Sequence, residues 1–164
     1  MNRSSLRTLT TGAVIAALYA AAAFVSSLSG LGFGPVQLRL SEALCLLPLI
    51  CPSAVAGLTV GCFIANLLSP FGLPDLIFGT LATFLAASIT RRCKKEWLAG
   101  LAPVVCNALI VGAMLTAEEA GFSAAAWPLF FYHGFTVGIG EALAVYLLGL
   151  PLLHYIRKKD IWGD

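Results

Sequence analysis

Nine of the ten basic residues stand in three clusters separated by long apolar runs, and this spacing limits the fold more than any other feature. The clusters are Arg3 and Arg7; Arg91, Arg92, Lys94 and Lys95; and Arg157, Lys158 and Lys159. Lys and Arg gather on the cytoplasmic side of membrane helices, so the number of crossings between any two clusters is even. Only 11% of the 164 residues are charged and 59% are hydrophobic, against about 25% charged in a soluble domain. The chain reads as a single integral membrane domain over 1–164, with no room for a second, soluble one. The basic residues cap apolar runs and form no face, which excludes a nucleic-acid footprint.

Span counting follows from the clusters. The run over 9–28 is about 20 residues long, enough to cross a bilayer, and so reads as a first helix rather than a cleaved signal peptide. The stretch 40–90 holds one span or three. One would leave roughly thirty apolar residues unexplained, so three are expected, over 41–52, 54–70 and 75–91. The first of these is short, carries Pro48 and precedes Pro52. It is expected to be broken or sunk into the bundle, because irregular backbone survives at membrane depth only when covered by protein. Two more spans, 97–115 and 127–154, lie between Lys95 and Arg157. The expected fold is all-α, a six-transmembrane-helix bundle with both termini cytoplasmic. Trp127 marks the outer interface, Trp97 and Trp162 the inner one. The outer loops fall near 29–40, 70–75 and 116–126, and the Gly- and Pro-rich 30–35 reads as flexible.

The chemistry is limited by what is missing. There is no G-x-x-x-x-G-K-[ST] phosphate loop, no G-x-S-x-G and no H-E-x-x-H, so ATP hydrolysis by that route and the familiar hydrolases are excluded. Cys45, Cys51, Cys62, Cys93 and Cys106 form no C-x-x-C pair and have no His at ligand spacing. They read as small apolar filler, with no disulfide, metal or cofactor assigned.

What remains is a set of polar residues at membrane depth, where a charge costs about 3 kcal/mol or more and marks a pathway or site. The tenth basic residue, Arg39, stands alone between apolar stretches in Gln37-Leu38-Arg39-Leu40-Ser41-Glu42. Arg39 and Glu42 share a helix face three residues apart, as a mutual ion pair or as a donor fork and acceptor offered to a ligand. Asn66, Asp75 and Asn107 serve equally as ligand contacts, as a helix start or as interhelical glue. Thr80 and Thr83 read as bonding their own helix backbone. In the last span, Trp127, Tyr132 and His133 lie in the outer half. Glu141 is about 21 Å below Trp127 by helical rise. Glu118 and Glu119 read as a solvated outer loop.

Small residues supply a second signal. Gly12, Ala16 and Ala20, and in parallel Ala13, Ala17 and Ala21, recur every four residues and give the first helix a wide face for close contact. Gly57/Gly61 and Gly134/Gly138 read as packing within the bundle, whereas the alanine face is wide enough to serve a partner as well.

At these residues the chain resembles the QueT-type queuosine-precursor transporters, the substrate-binding S components of energy-coupling-factor transporters. The resemblance is carried by Gln37 to Pro48, Gly57 to Asn66, Asp75 to Thr83 and Gly138 to Ala142. It implies six helices, capture of a 7-deazaguanine such as 7-aminomethyl-7-deazaguanine or queuine from outside, and a location in the cell membrane. It implies as partners a transmembrane coupling subunit and two ATPase subunits, which fits the missing phosphate loop. In such proteins an Ala-x-x-x-Ala face of the first helix touches the coupling subunit; here that maps onto Ala13/Ala17 or Ala16/Ala20. The expected ligand set is Gln37, Arg39, Glu42, Asn66, Asp75, Asn107, Trp127, Tyr132, His133 and Glu141, with Phe33 as a further stacking ring and 30–35 as a lid. Two other classes compete: a proton-coupled secondary carrier using Glu141, and an intramembrane enzyme using His133 and Glu141.

Overall fold

Alanine is the best helix former, and helix α1 (Arg3–Leu28) is built around it. A computed structural model describes residues 3–30, 38–121, 123 and 126–159, and over these the chain is helical with no strand. After α1 comes a 3₁₀ helix, Leu40–Leu49, then α2 (Ala54–Asn66). A π-helical turn, Asp75–Gly79, runs directly into α3 (Thr80–Arg92). Next is α4 (Glu96–Ala120). The last stretch is continuous: α5 (Ala126–Ala142), a π-helical segment Leu143–Gly149, and α6 (Leu150–Lys159). Among the described residues, three stretches are long and apolar enough to cross a membrane, Ser4–Leu28, Glu96–Ala120 and Ala126–Lys159. Leu18, Phe24, Val25, Phe131, Phe135 and Leu147 are exposed on their outer faces, a surface suited to lipid rather than water.

Small residues set the helix spacing. A Cβ at Gly57 would stand 2.6 Å from the Gly12 carbonyl oxygen, and one at Gly61 would stand 2.7 Å from that of Ala16. The Gly12, Ala16 and Tyr19 side of α1 is therefore pressed on α2, while Ala13, Ala17 and Ala21 stay exposed. Gly112 admits the Gly134 backbone in the same way and joins α4 to α5. The short second element is sunk into the bundle, with Ser41, Glu42, Cys45, Leu46, Leu47 and Pro48 buried. A 3₁₀ helix rises about 2.0 Å per residue, so ten residues cover about 20 Å, as far as a 13-residue α-helix. Gly149 lets this element lie against the π segment, its would-be Cβ being 3.0 Å from the Ala43 carbonyl.

The second and third basic clusters meet at one end. Ile15, Cys51, Ala54, Ala87 and Ile156 share one buried cluster. Glu96 at the start of α4 pairs with Arg157, and with His154 at 3.1 Å. The Tyr146 hydroxyl donates to the Trp97 carbonyl at 2.7 Å. Trp162 lies outside the described residues. At the opposite end α4 continues to Ala120 and closes on Gly121 at φ 57°. Glu118 and Glu119 therefore belong to a helix, not to a loop beginning at 116, and Glu119 accepts the His133 ring at 2.9 Å.

Candidate functional site

A 3₁₀ helix eclipses side chains three apart, and this stacks Glu42 and Cys45, with Arg39 on the extended backbone just ahead of them. The chain enters that helix on a fixed peg: the Ser26 hydroxyl of α1 accepts the Leu40 amide at 2.8 Å and donates to the Ala22 carbonyl at 2.9 Å. Glu42 is 3% exposed. Its Oε1 accepts the Tyr19 hydroxyl and its Oε2 accepts the Cys45 thiol at 2.8 Å.

Arg39 does not take Glu42 as its ion-pair partner. Its Nη2 lies 3.4 Å from Oδ2 of Asp75, which is fully buried. The spacing of 39 and 42 could not anticipate this, because Asp75 arrives from the π turn ahead of α3. Asn66 at the end of α2 donates to the Asp75 carbonyl at 2.9 Å. Gly79 makes this packing possible: a Cβ there would be 2.7 Å from both Asn66 Nδ2 and Asp75 Oδ1. π turns are frequent at functional sites, and here one begins at Asp75 and another starts two residues after Glu141.

Cys62 ties the two halves together. Its sulfur accepts the Thr83 hydroxyl at 3.2 Å and Asn66 Nδ2 at 3.4 Å, and Tyr19 stands beside it. Thr83 thus bonds across to α2 rather than to its own helix, and the buried Thr80 hydroxyl has no partner. All five thiols are free. Cys45 and Cys62 are wired into polar contacts and are not mere apolar filler.

Glu141 completes the cluster. It is 5% exposed and lies beside Glu42 and Asn107. One carboxylate oxygen of Glu42, the Cys45 sulfur and one carboxylate oxygen of Glu141 all lie within 4.8 Å of one another. Three ligand atoms at that spacing are a partial metal cage, but the Cys45 thiol is already used as a donor to Glu42. Glu141 Oε1, Asp75 Oδ1 and Ser41 Oγ are buried without a hydrogen-bond partner.

The structure thus brings together Arg39, Glu42, Asn66, Asp75, Asn107 and Glu141. It adds Tyr19, which the sequence reading missed. Its signal was the helical period: the inward series Gly12, Ala16, Tyr19, Ala23 turns from small residues to a hydroxyl-bearing ring. No hydrogen bond or ring contact joins Trp127, Tyr132 or His133 to the cluster among the described residues. Trp127 and Tyr132 are exposed, Tyr132 stacks edgewise on His133, and Trp127 lines a groove with Ala113, Thr116 and Phe130. Gln37, Phe33 and the segment 31–35 lie outside the described residues.

Comparison with known proteins bears on these residues. A family model described as QueT transporter matches residues 9–158. The queuosine precursor transporter QueT of Lactococcus lactis subsp. cremoris (strain MG1363) is 35% identical over 89 residues, which cover 54% of this chain and 52% of that protein. The chain spans about half the length of the curated relative it matches. No solved structure matches.

Proposed function

The chain belongs to the QueT transporter family, and from that premise we propose that it captures a 7-deazaguanine queuosine precursor as the S component of an energy-coupling-factor importer. As a member of a transporter family it is not an enzyme. In this reading the single domain crosses the cell membrane six times, once per helical stretch, with the basic end and both termini in the cytoplasm. The site then lies in the outward half, reached from outside.

The observation that carries the reading is the buried cluster of Arg39, Glu42, Asn66, Asp75, Asn107 and Glu141, drawn from five of the six stretches, with acceptor atoms left unpartnered. Buried polar groups are normally paired, so vacant acceptors suit a ligand rich in N–H donors. A 7-deazaguanine offers N1–H, N9–H and an exocyclic amine, with O6 as an acceptor for a guanidinium or amide.

A transmembrane coupling subunit and two ATPase subunits would supply the energy. For the coupling subunit the exposed Ala13/Ala17 register is the better fit. Ala16 is 7% exposed and already packed on Gly61. A groove lined by Ala13, Ala56 and Val60 runs beside it between α1 and α2.

Titration of the purified full-length chain with 7-aminomethyl-7-deazaguanine tests the reading. Binding is expected, and Arg39→Ala should weaken it about tenfold or more; absence of affinity for any 7-deazaguanine refutes it. Maleimide labelling of single cysteines placed at Lys94 and Glu118 should mark opposite sides of the membrane. A proton-coupled carrier using the facing Glu42 and Glu141 is a second reading; it predicts uptake into vesicles without any ATPase partner.

A further inference from the structure

Charge sets this site apart more than shape does. Four charged side chains meet in it. Arg39 and Asp75 stand 3.4 Å apart and offset each other. Glu42 and Glu141 remain, 3% and 5% exposed, each with an oxygen in the group whose members lie within 4.8 Å. Two carboxylates this close in a low-dielectric interior repel each other unless a shared proton or a cation joins them.

Arg39 bears on Glu42 and Glu141 as well, but among the described residues one guanidinium faces three carboxylates. Tyr19 and Cys45 are neutral donors already committed to Glu42. Asn107 beside Glu141 is a neutral amide. Glu141 Oε1 is buried with no partner. The spot therefore carries more carboxylate than cation and one vacant acceptor, which suits a cation that is also a donor.

We propose that an ammonium group on the ligand sits between Glu42 and Glu141, so that the site selects an amine-bearing heterocycle over its neutral isostere. This rests on the reading that a 7-deazaguanine binds here and adds which end of it is recognised by charge. The ring edge is left to Arg39, Asp75 and Asn66. An ammonium fits better than a metal ion, because a metal would need the Cys45 thiol deprotonated, and that thiol is a donor to Glu42. An ammonium brings three donors, enough for both carboxylates.

Three probes with one ring test the proposal by calorimetry on the full-length protein: 7-aminomethyl-, 7-cyano- and unsubstituted 7-deazaguanine. The aminomethyl compound should bind about 10- to 100-fold more tightly than the cyano compound, the range of a hydrogen bond to a charged group. In Glu141→Gln that gap should shrink to less than about threefold. Equal affinity of wild type for amine and nitrile overturns the ammonium seat and leaves the ring reading standing. Failure of all three to bind overturns both. The wild-type comparison needs no variant, so a poorly folding Glu141→Gln leaves it decisive.

Discussion

Gly79→Ala tests the site's geometry without touching a charge. A Cβ at this position would stand 2.7 Å from Asn66 Nδ2 and from Asp75 Oδ1, about 0.7 Å inside the 3.4 Å at which ordinary contact begins. Both neighbours are buried side chains, hemmed in by Cys62 and Arg39. If Asn66 gives way by that amount, its 2.9 Å bond to the Asp75 carbonyl stretches towards 3.6 Å, too long to count as a hydrogen bond. A buried donor left unmade costs about 1–3 kcal/mol, and each 1.4 kcal/mol is tenfold in affinity. The expected result is ligand binding weakened about 10- to 100-fold, read by titration of 7-aminomethyl-7-deazaguanine into purified protein. Gly138→Ala is the matched control, since its Cβ would meet the Ala108 methyl at an ordinary 3.5 Å. Its affinity should stay within about twofold of wild type. Wild-type binding by Gly79→Ala, or an equal loss in Gly138→Ala, would show that the Asn66–Gly79–Asp75 packing does not hold the site in shape.

Tyr19→Phe removes the hydroxyl from Glu42 while keeping the ring. It should lower thermal stability by about 1.5–3 kcal/mol, the worth of a hydrogen bond to a charged group, with no change in helical content by circular dichroism; an unchanged melting temperature would count against that bond. Ala17→Trp should abolish co-purification with the coupling subunit and leave ligand affinity intact, whereas Ala16→Trp should fail to fold because Ala16 lies on Gly61. Loss of ligand binding in Ala17→Trp would contradict the separation of the two faces of α1.

Much of the architecture was legible because lipid is a strict solvent. The basic clusters delimited the helical stretches, and Pro48 with Pro52 flagged the one that would not be an ordinary helix. The residue types of the buried cluster were legible too, since charge in an apolar run is costly enough to stand out. Their pairings were not. Arg39 meets Asp75 rather than Glu42 because the elements carrying them are distant in sequence and brought together only by packing. Cys45 and Cys62 looked like filler because a thiol's hydrogen bonds leave no mark on composition. Which alanines of α1 stay exposed became readable only once Gly57 and Gly61 showed which side was taken. The end of α4 was misjudged because two glutamates read as loop where His133 on the next helix gave one of them a partner.

The π-helical segment Leu143–Gly149 has a consequence for length rather than composition. Each of its hydrogen bonds spans five residues instead of four, so the stretch stores surplus chain between Glu141 and the end of α6. Removing one residue there would return it to α spacing with little turn of what lies beyond, because seven π-spaced residues wind about as far as six α-spaced ones. His154 and Arg157 would keep their place against Glu96, whereas a deletion within the α-helical 150–153 would turn them about 100° away from it. Relatives sharing this site should therefore tolerate the loss of one residue within 143–149 far better than within 150–153.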